Sequence, residues 1–344
     1  MVGVLVAVLG GALLWVSWLS VLRAVFTQGQ VPPRAARWTV RLTAAVLTPV
    51  GSRLAPARRE RLLALCAPLA LFIMFGCWFV SSTAGFVLLA VASGAIRPAP
   101  AELADLLAFE LDGPANLFAV AATVSGALLV GLFAVYLLRI AAAYSRREAL
   151  VARLSAHAAV PSDAERVIAT FVRSDSRDQL DSWYGEWAAW LADLRCTHVG
   201  QPSLAYFRSA GPLCWLEAAV IALDAAALVE ATAPDWAPPN TQVLLETGAR
   251  CLQRIAAGMG LVVPRSVVSL HGREQCGFAD TIEMTLFAGL PVARTQGLAW
   301  EAFQQERTRY APYAAAVAAR LQCELDAGGT APVLTAERNE GWER

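Results

Sequence analysis

Three long uncharged runs dominate the first 145 positions of the chain. Val2 to Leu22 is the first, and at about 1.5 Å per residue it is long enough to cross a bilayer. It lacks the positive start and the cleavage site of a secretory signal, so it is expected to be a retained helix. Leu62 to about Leu88 is the second, with Pro68 near its start and Gly76 and Gly85 within it, features that membrane helices tolerate. It is expected to run on through Val91 to Ile96, tilted or broken near Gly94. Asn116 to Leu138 is the third. Gly3, Gly10 and Gly11 would permit close helix packing.

From Glu148 onward the period becomes that of amphipathic helices. Ser162, Asp163 and Glu165 form a capping box after Pro161. Trp183, Trp187 and Trp190 share one helical face, which predicts core packing. Cys214 to Ala231 is apolar enough to suggest a fourth span, but Glu217, Asp224 and Glu230 argue against it. Each carboxylate at membrane depth costs about 2.5–3.5 kcal/mol on insertion scales. Further helices are predicted near Thr241–Met259, Phe278–Phe287 and Leu298–Leu325, the last kinked or broken at Pro312. No strand-period run and no internal repeat is visible.

The pattern thus predicts an all-α integral membrane protein with about three transmembrane helices followed by a cytoplasmic helical domain. Residues 1–26 form the first helix and 27–61 a basic loop with an amphipathic segment. Residues 62–145 form a transmembrane hairpin with a short outer loop at 97–115. Residues 146–326 form the helical domain, and 327–344 a polar tail.

Charge supplies an orientation. Arg23, Arg34, Arg37, Arg41, Arg53, Arg58, Arg59 and Arg61 face a single acid, Glu60, in the first loop, and Arg139, Arg146 and Arg147 follow the third run. The positive-inside rule puts both clusters in the cytoplasm, the N-terminus outside, and the chain in the cell membrane as a multi-pass protein. Trp38 to Val50 would lie along the inner surface with its arginines toward anionic lipid; a solvated linker is the alternative. Arg97 to Gly113 carries Glu102, Asp105, Glu110 and Asp112 and suits an outer loop.

Composition agrees: the chain is 57% hydrophobic with a mean hydropathy of +0.48, too apolar for an ordinary soluble protein of its length. All 28 basic side chains are arginine, and the net charge is zero, which lends no support to nucleic-acid binding. The seven cysteines include no CxxC, so a zinc site is not expected, and a reducing compartment makes free thiols the default. His157, His198 and His271 stand in no metal-ligand spacing, and no catalytic arrangement or cofactor motif stands out. His198 beside Cys196 is a weak pair. Asp224, buried in an apolar helix, needs a partner, and Arg208 or Arg250 is a candidate for a structural ion pair.

Several stretches resemble a known family. RRERLLAL at Arg58–Leu65, YSRREALVARL at Tyr144–Leu154, CTHVGQPSLAYFRS at Cys196–Ser209, WLEAAVIALDAAAL at Trp215–Leu228 and RYAPYAAAVAARL at Arg309–Leu321 carry the likeness, in their order and spacing. The layout is similar to that of bacterial, largely actinobacterial, membrane proteins described as two-pore-domain or ion-channel-like potassium channel proteins. The resemblance implies a pore module over 62–145, a homo-oligomer, and potassium or another monovalent cation as partner beside the lipid bilayer.

The chain departs from that pattern at the filter. A TVGYG-like run presents backbone carbonyls that replace the ion's water. Thr123-Val124-Ser125-Gly126 is the tempting match, but it lies inside the third run, where small residues serve packing, and a filter must precede the inner helix. The expected place, Phe109–Pro114, reads FELDGP, with one glycine and two acids. The expectation is therefore a non-conducting or non-selective membrane scaffold or sensor. The alternative is a cation channel in which Glu110 and Asp112 ring an acidic outer mouth.

Overall fold

The structure is a computed structural model and describes residues 1–26, 34–96, 114–157, 164–263 and 273–323. The described residues are mostly helical, with no strand among them, and three helices are long and apolar enough to cross a membrane. The chain divides into two compact units.

The first unit comprises Met1–Tyr144 and Thr197–Phe207. Its helices are α1 (Val2–Phe26), α2 (Arg34–Gly51), α3 (Pro56–Ala64), α4 (Cys66–Ala92) and the first part of α5 (Pro114–His157). A short 3-10 turn, Pro202–Tyr206, completes it. Pro56 opens α3, where its missing N–H costs nothing. Leu65 keeps helical backbone angles between α3 and α4, so the second apolar run is one nearly unbroken rod from Ala57 to Ala92. It stops where the sequence suggested. Gly94 adopts φ +74°, its N–H reaches the Val91 carbonyl at 3.0 Å, and the Ala95 N–H reaches the Ala90 carbonyl at 3.0 Å. That is a Schellman ending, which closes the last open carbonyls of the helix.

α1 and α4 cross at glycine. A Cβ on Gly10 would lie 2.9 Å from the Gly85 carbonyl oxygen, and one on Gly85 would lie 2.6 Å from Leu14 Cγ. Gly11, by contrast, has nothing within 4 Å. Around the crossing, α1, α4 and α5 bury Val21, Val25, Met74, Trp78, Leu129 and Tyr136 against one another. Phe75 and Phe133 stack with ring centroids 4.6 Å apart.

α2 is two-faced. Ala36, Val40 and Ala44 are buried, and the helix packs on α4 and the 3-10 turn. Trp38, Leu42, Val46 and Val50, each four residues on from the last, stay exposed. The amphipathic stretch is thus a helix, one turn longer than its sequence pattern at the N-terminal side.

The second unit comprises Ser145–Cys196 and Arg208 onward. Here α6 (Ala164–Arg173), α7 (Arg177–Gly200), α9 (Asn240–Met259), α10 (Arg273–Phe287), α11 (Gln296–Arg307) and α12 (Ala311–Leu321) are arranged about α8 (Trp215–Thr232). The last turn of α7, from Thr197, belongs to the first unit. α6, α9, α11 and α12 all pack on α8, and 222–229 are buried without a gap. A helix apolar all round belongs in a core, and alanines at half of these positions let four neighbours approach closely. The apolar run that could have read as a fourth span is therefore the axis of this bundle.

The edges of the bundle are tied by side chains. Asp181 accepts from the Asn240 backbone N–H at 2.8 Å and from its Nδ2 at 3.0 Å, which fixes the start of α9. Arg294 donates to the Glu230 and Ala231 carbonyls at 3.1 Å, which closes α8. Trp183, Trp187 and Trp190 run down α7 in ring contact, 5.5 and 5.0 Å apart, with Trp187 and Trp190 buried. The long helix predicted over Leu298–Leu325 is two helices. The break is Thr308–Tyr310, and Pro312 occupies the first turn of α12, the place in a helix that suits it.

Candidate functional site

Asp224 is the first candidate that the structure places. α8 carries it to the centre of the bundle, where it is 2% exposed. Arg307, at the end of α11 and 6% exposed, puts its Nε 3.0 Å from Asp224 Oδ1. Tyr310, in the break before α12, donates its hydroxyl to the same oxygen at 2.5 Å. The Phe303 ring lies under the Arg307 guanidinium at 5.5 Å, a cation–π contact. One carboxylate thus ties α8 to α11 and to the break before α12.

The partner expected from sequence is corrected here. Neither Arg208 nor Arg250 reaches Asp224. Arg250 pairs with Glu246 one turn away on α9. Arg208 is half-buried and donates to the Leu321 carbonyl at 2.9 Å, so it caps the end of α12. The reason is geometric: Asp224 faces α11 and α12, and only the residues at that junction lie within reach.

Burial raises the Asp224 carboxyl above the ordinary carboxylate range, and the Arg307 charge and the Tyr310 hydrogen bond pull it back only in part. The Tyr310 phenol is pushed well above its usual value, by burial first and then by the Asp224 charge. Asp224 Oδ2 is buried and accepts no hydrogen bond among the described residues. All three side chains are buried. The chemistry of the cluster is that of a buried polar lock: it fixes which helices meet, and it loses much if one member is removed.

A second polar set lies in the first unit. Ser17 Oγ donates to the Trp78 carbonyl at 3.2 Å, and Trp78 Nε1 donates to Ser20 Oγ at 3.1 Å. Ser81 Oγ reaches Ser17 Oγ at 3.1 Å, and the Ser82 and Ser125 hydroxyls share a hydrogen bond at 3.1 Å. Arg139 of α5 donates to the Val25 carbonyl at the end of α1. These bonds join α1, α4 and α5. Ser125, part of the rejected filter-like run, is one of them.

Glu110 and Asp112, the candidate outer-mouth acids, lie outside the described residues, as does the Ser162 cap. Arg147, one of the arginines expected to mark the cytoplasmic end of the third run, is 2% exposed in the second unit. It pairs with Glu148 at 2.8 Å and lies over the Trp215 ring. His198 is buried and shares a hydrogen bond with the Thr197 hydroxyl at 3.2 Å. Among the described residues no group of three His, Cys, Asp or Glu side chains is placed to hold a metal ion. Arg166, Arg173, Met284 and Phe287 line an open groove of about 290 Å³, in which the two arginines are the charged groups among the described residues.

Sequence reasoning missed Arg307 and Tyr310. Arg307 and Arg309 look alike in the chain, and only the fold makes one of them internal. No family model matches the chain, and no curated protein and no solved structure matches it either.

Proposed function

We propose that the protein is a non-conducting membrane scaffold or sensor of potassium-channel-like layout, with its helical domain in the cytoplasm and its N-terminus outside. The destination of the polar side chains in the three apolar helices supports this. A cation path needs oxygen atoms turned toward a conduit. Here Ser17, Ser20, Ser81, Ser82 and Ser125 are spent on helix–helix hydrogen bonds. The exposed faces of the same helices carry Leu5, Leu9, Val16, Phe72, Val124 and Leu128, which suit lipid or a second copy rather than an ion. The second unit then offers a rigid helical body, locked by Asp224 and Arg307, as the part that meets a partner.

Purified protein in planar bilayers tests the proposal. The expected result is no potassium-selective current. A current that strongly prefers potassium to sodium would overturn it. In that event Glu110→Gln with Asp112→Asn should depress the conductance if the acidic mouth carries it.

A further inference from the structure

α2 turns an apolar stripe away from the protein, at the end of the first unit where the apolar helices meet arginine. Its Ala36 is buried in one cluster with Val21 and Val25 in the last turns of α1, Leu71 and Met74 near the start of α4, and Ile140 of α5. Arg23 and Arg139 stand at this same end, and Arg139 donates to the Val25 carbonyl. A bilayer that holds the three apolar helices passes here from hydrocarbon to headgroups. α2 itself has 18 residues, with Arg37, Arg41 and Pro49 among them, and is too charged to cross.

The two sides of α2 have different fates. Val40 and Ala44 are buried like Ala36, and the helix packs on α4 and the 3-10 turn. The buried Thr39 and Thr43 hydroxyls donate within their own helix, to the Ala36 and Thr39 carbonyls at 3.1 and 2.7 Å. A solvated linker would have no such packed side. On the other side Trp38 is 73% exposed, and Leu42, Val46 and Val50 continue the stripe. Arg37 and Arg41, one turn apart, run along one edge of it. A tight turn, in which the Leu54 N–H reaches the Gly51 carbonyl at 3.0 Å, leads into α3, which packs on α2 and exposes Arg58 and Arg61. Between residues 34 and 65 the sequence has one acid, Glu60.

We propose that the exposed face of α2 binds the anionic phospholipids of the leaflet it meets, with the arginines of α3 adding to the local positive charge. The stripe fits among the upper acyl chains, with the Trp38 indole at the boundary where such rings are favoured. A guanidinium holds a phosphate through two parallel N–H donors. The excess of arginine over acid selects lipids of net negative charge over zwitterionic ones. The same excess disfavours a second copy on this face, because two such surfaces would set arginine against arginine. The binding depends neither on whether the spans conduct nor on which leaflet faces the cytoplasm.

The test is photolabelling of the full chain in phosphatidylcholine vesicles. A trace of phosphatidylglycerol or of phosphatidylcholine, each carrying the same diazirine in an acyl chain, is present at equal mole fraction in both leaflets. The adducts are located by peptide mass spectrometry. Cleavage after arginine isolates the stripe as Trp38–Arg41 and Leu42–Arg53. Each arginine near an anionic surface is worth about fivefold in lipid occupancy. The phosphatidylglycerol probe should therefore label 38–53 at least about fivefold more than the phosphatidylcholine probe. The exposed faces of α1 and α5, at Leu9 and Leu128, should take both probes alike. Salt at about 1 M, which screens charges beyond about 3 Å, should shrink the excess. Arg37→Gln combined with Arg41→Gln should remove most of it and leave the labelling of α1 and α5 unchanged. Two results would overturn the proposal, and both are read on the wild type alone. One is equal labelling of 38–53 by the two probes, which would mean apolar contact without selection for charge. The other is labelling of α1 and α5 with none at 38–53, which would mean that water or protein, a second copy included, covers the stripe.

Discussion

Arg307 holds the most consequential single position in the second unit. Its guanidinium is the only cation within 4 Å of the buried Asp224 carboxylate among the described residues. Replacing it by Leu leaves a carboxyl that can be buried only when protonated, and breaking such a pair costs about 3–5 kcal/mol. The loss should depend on pH. With Arg307 gone, the folded carboxyl titrates still further above the unfolded value of 3.8. Across that window the folded state holds a proton that the unfolded chain has released, so stability falls as pH rises through it. Arg307→Leu should therefore melt at a lower temperature at pH 8 than at pH 5, with a wider gap than the wild type shows. Asp224→Leu combined with Arg307→Leu should recover most of the loss and flatten the pH dependence. A gap no wider than that of the wild type would show that Asp224 takes its counter-charge from elsewhere. That Asp224 needed a partner was legible, because a carboxylate in an alanine-rich helix has no other way to be buried. Which partner it has was not, because positions 224 and 307 meet only when α11 folds back on α8.

At the level of single helices, the glycine crossing separates residues that sequence treats alike. Gly10 and Gly11 are neighbours in one apolar run, and either could face another helix. Only the rotation of α1 about its axis decides, and it turns Gly10 to the Gly85 backbone. Gly10→Ala forces a methyl group against a carbonyl oxygen that cannot move without separating the helices. It should cost about 1–3 kcal/mol, measured as a fall in melting temperature in detergent micelles. Gly11→Ala meets nothing and should stay within about 0.5 kcal/mol of the wild type. Equal effects of the two would mean that α1 does not pack by this face. Other features of the elements were readable because their cause is local. Gly94 ends α4 by its own backbone freedom, and Pro312 separates α11 from α12 by its missing N–H. The burial of Arg147 was not readable for the opposite reason: Trp215, which it lies over beside Glu148, is far along the chain.

For the whole molecule, the proposed orientation rests on arginine distribution alone and can be measured. Asp105→Cys should react with a membrane-impermeant maleimide on intact cells. Ser182→Cys, at an exposed position on α7, should react only after permeabilisation. The reverse pattern would turn the molecule over. The candidate mouth acids were chosen for charge and position between two runs, and Glu110 and Asp112 lie beyond the described residues, so their test is functional. The unbroken burial of α8 from Ala222 to Val229 has a practical consequence of its own. Amides with no path to solvent exchange hydrogen for deuterium only when the surrounding structure opens as a whole. Isotope uptake between Ala222 and Val229 is thus a built-in gauge of global opening in this unit. It can be read in micelles or in native vesicles, without denaturant, and without disturbing the lipid-facing helices.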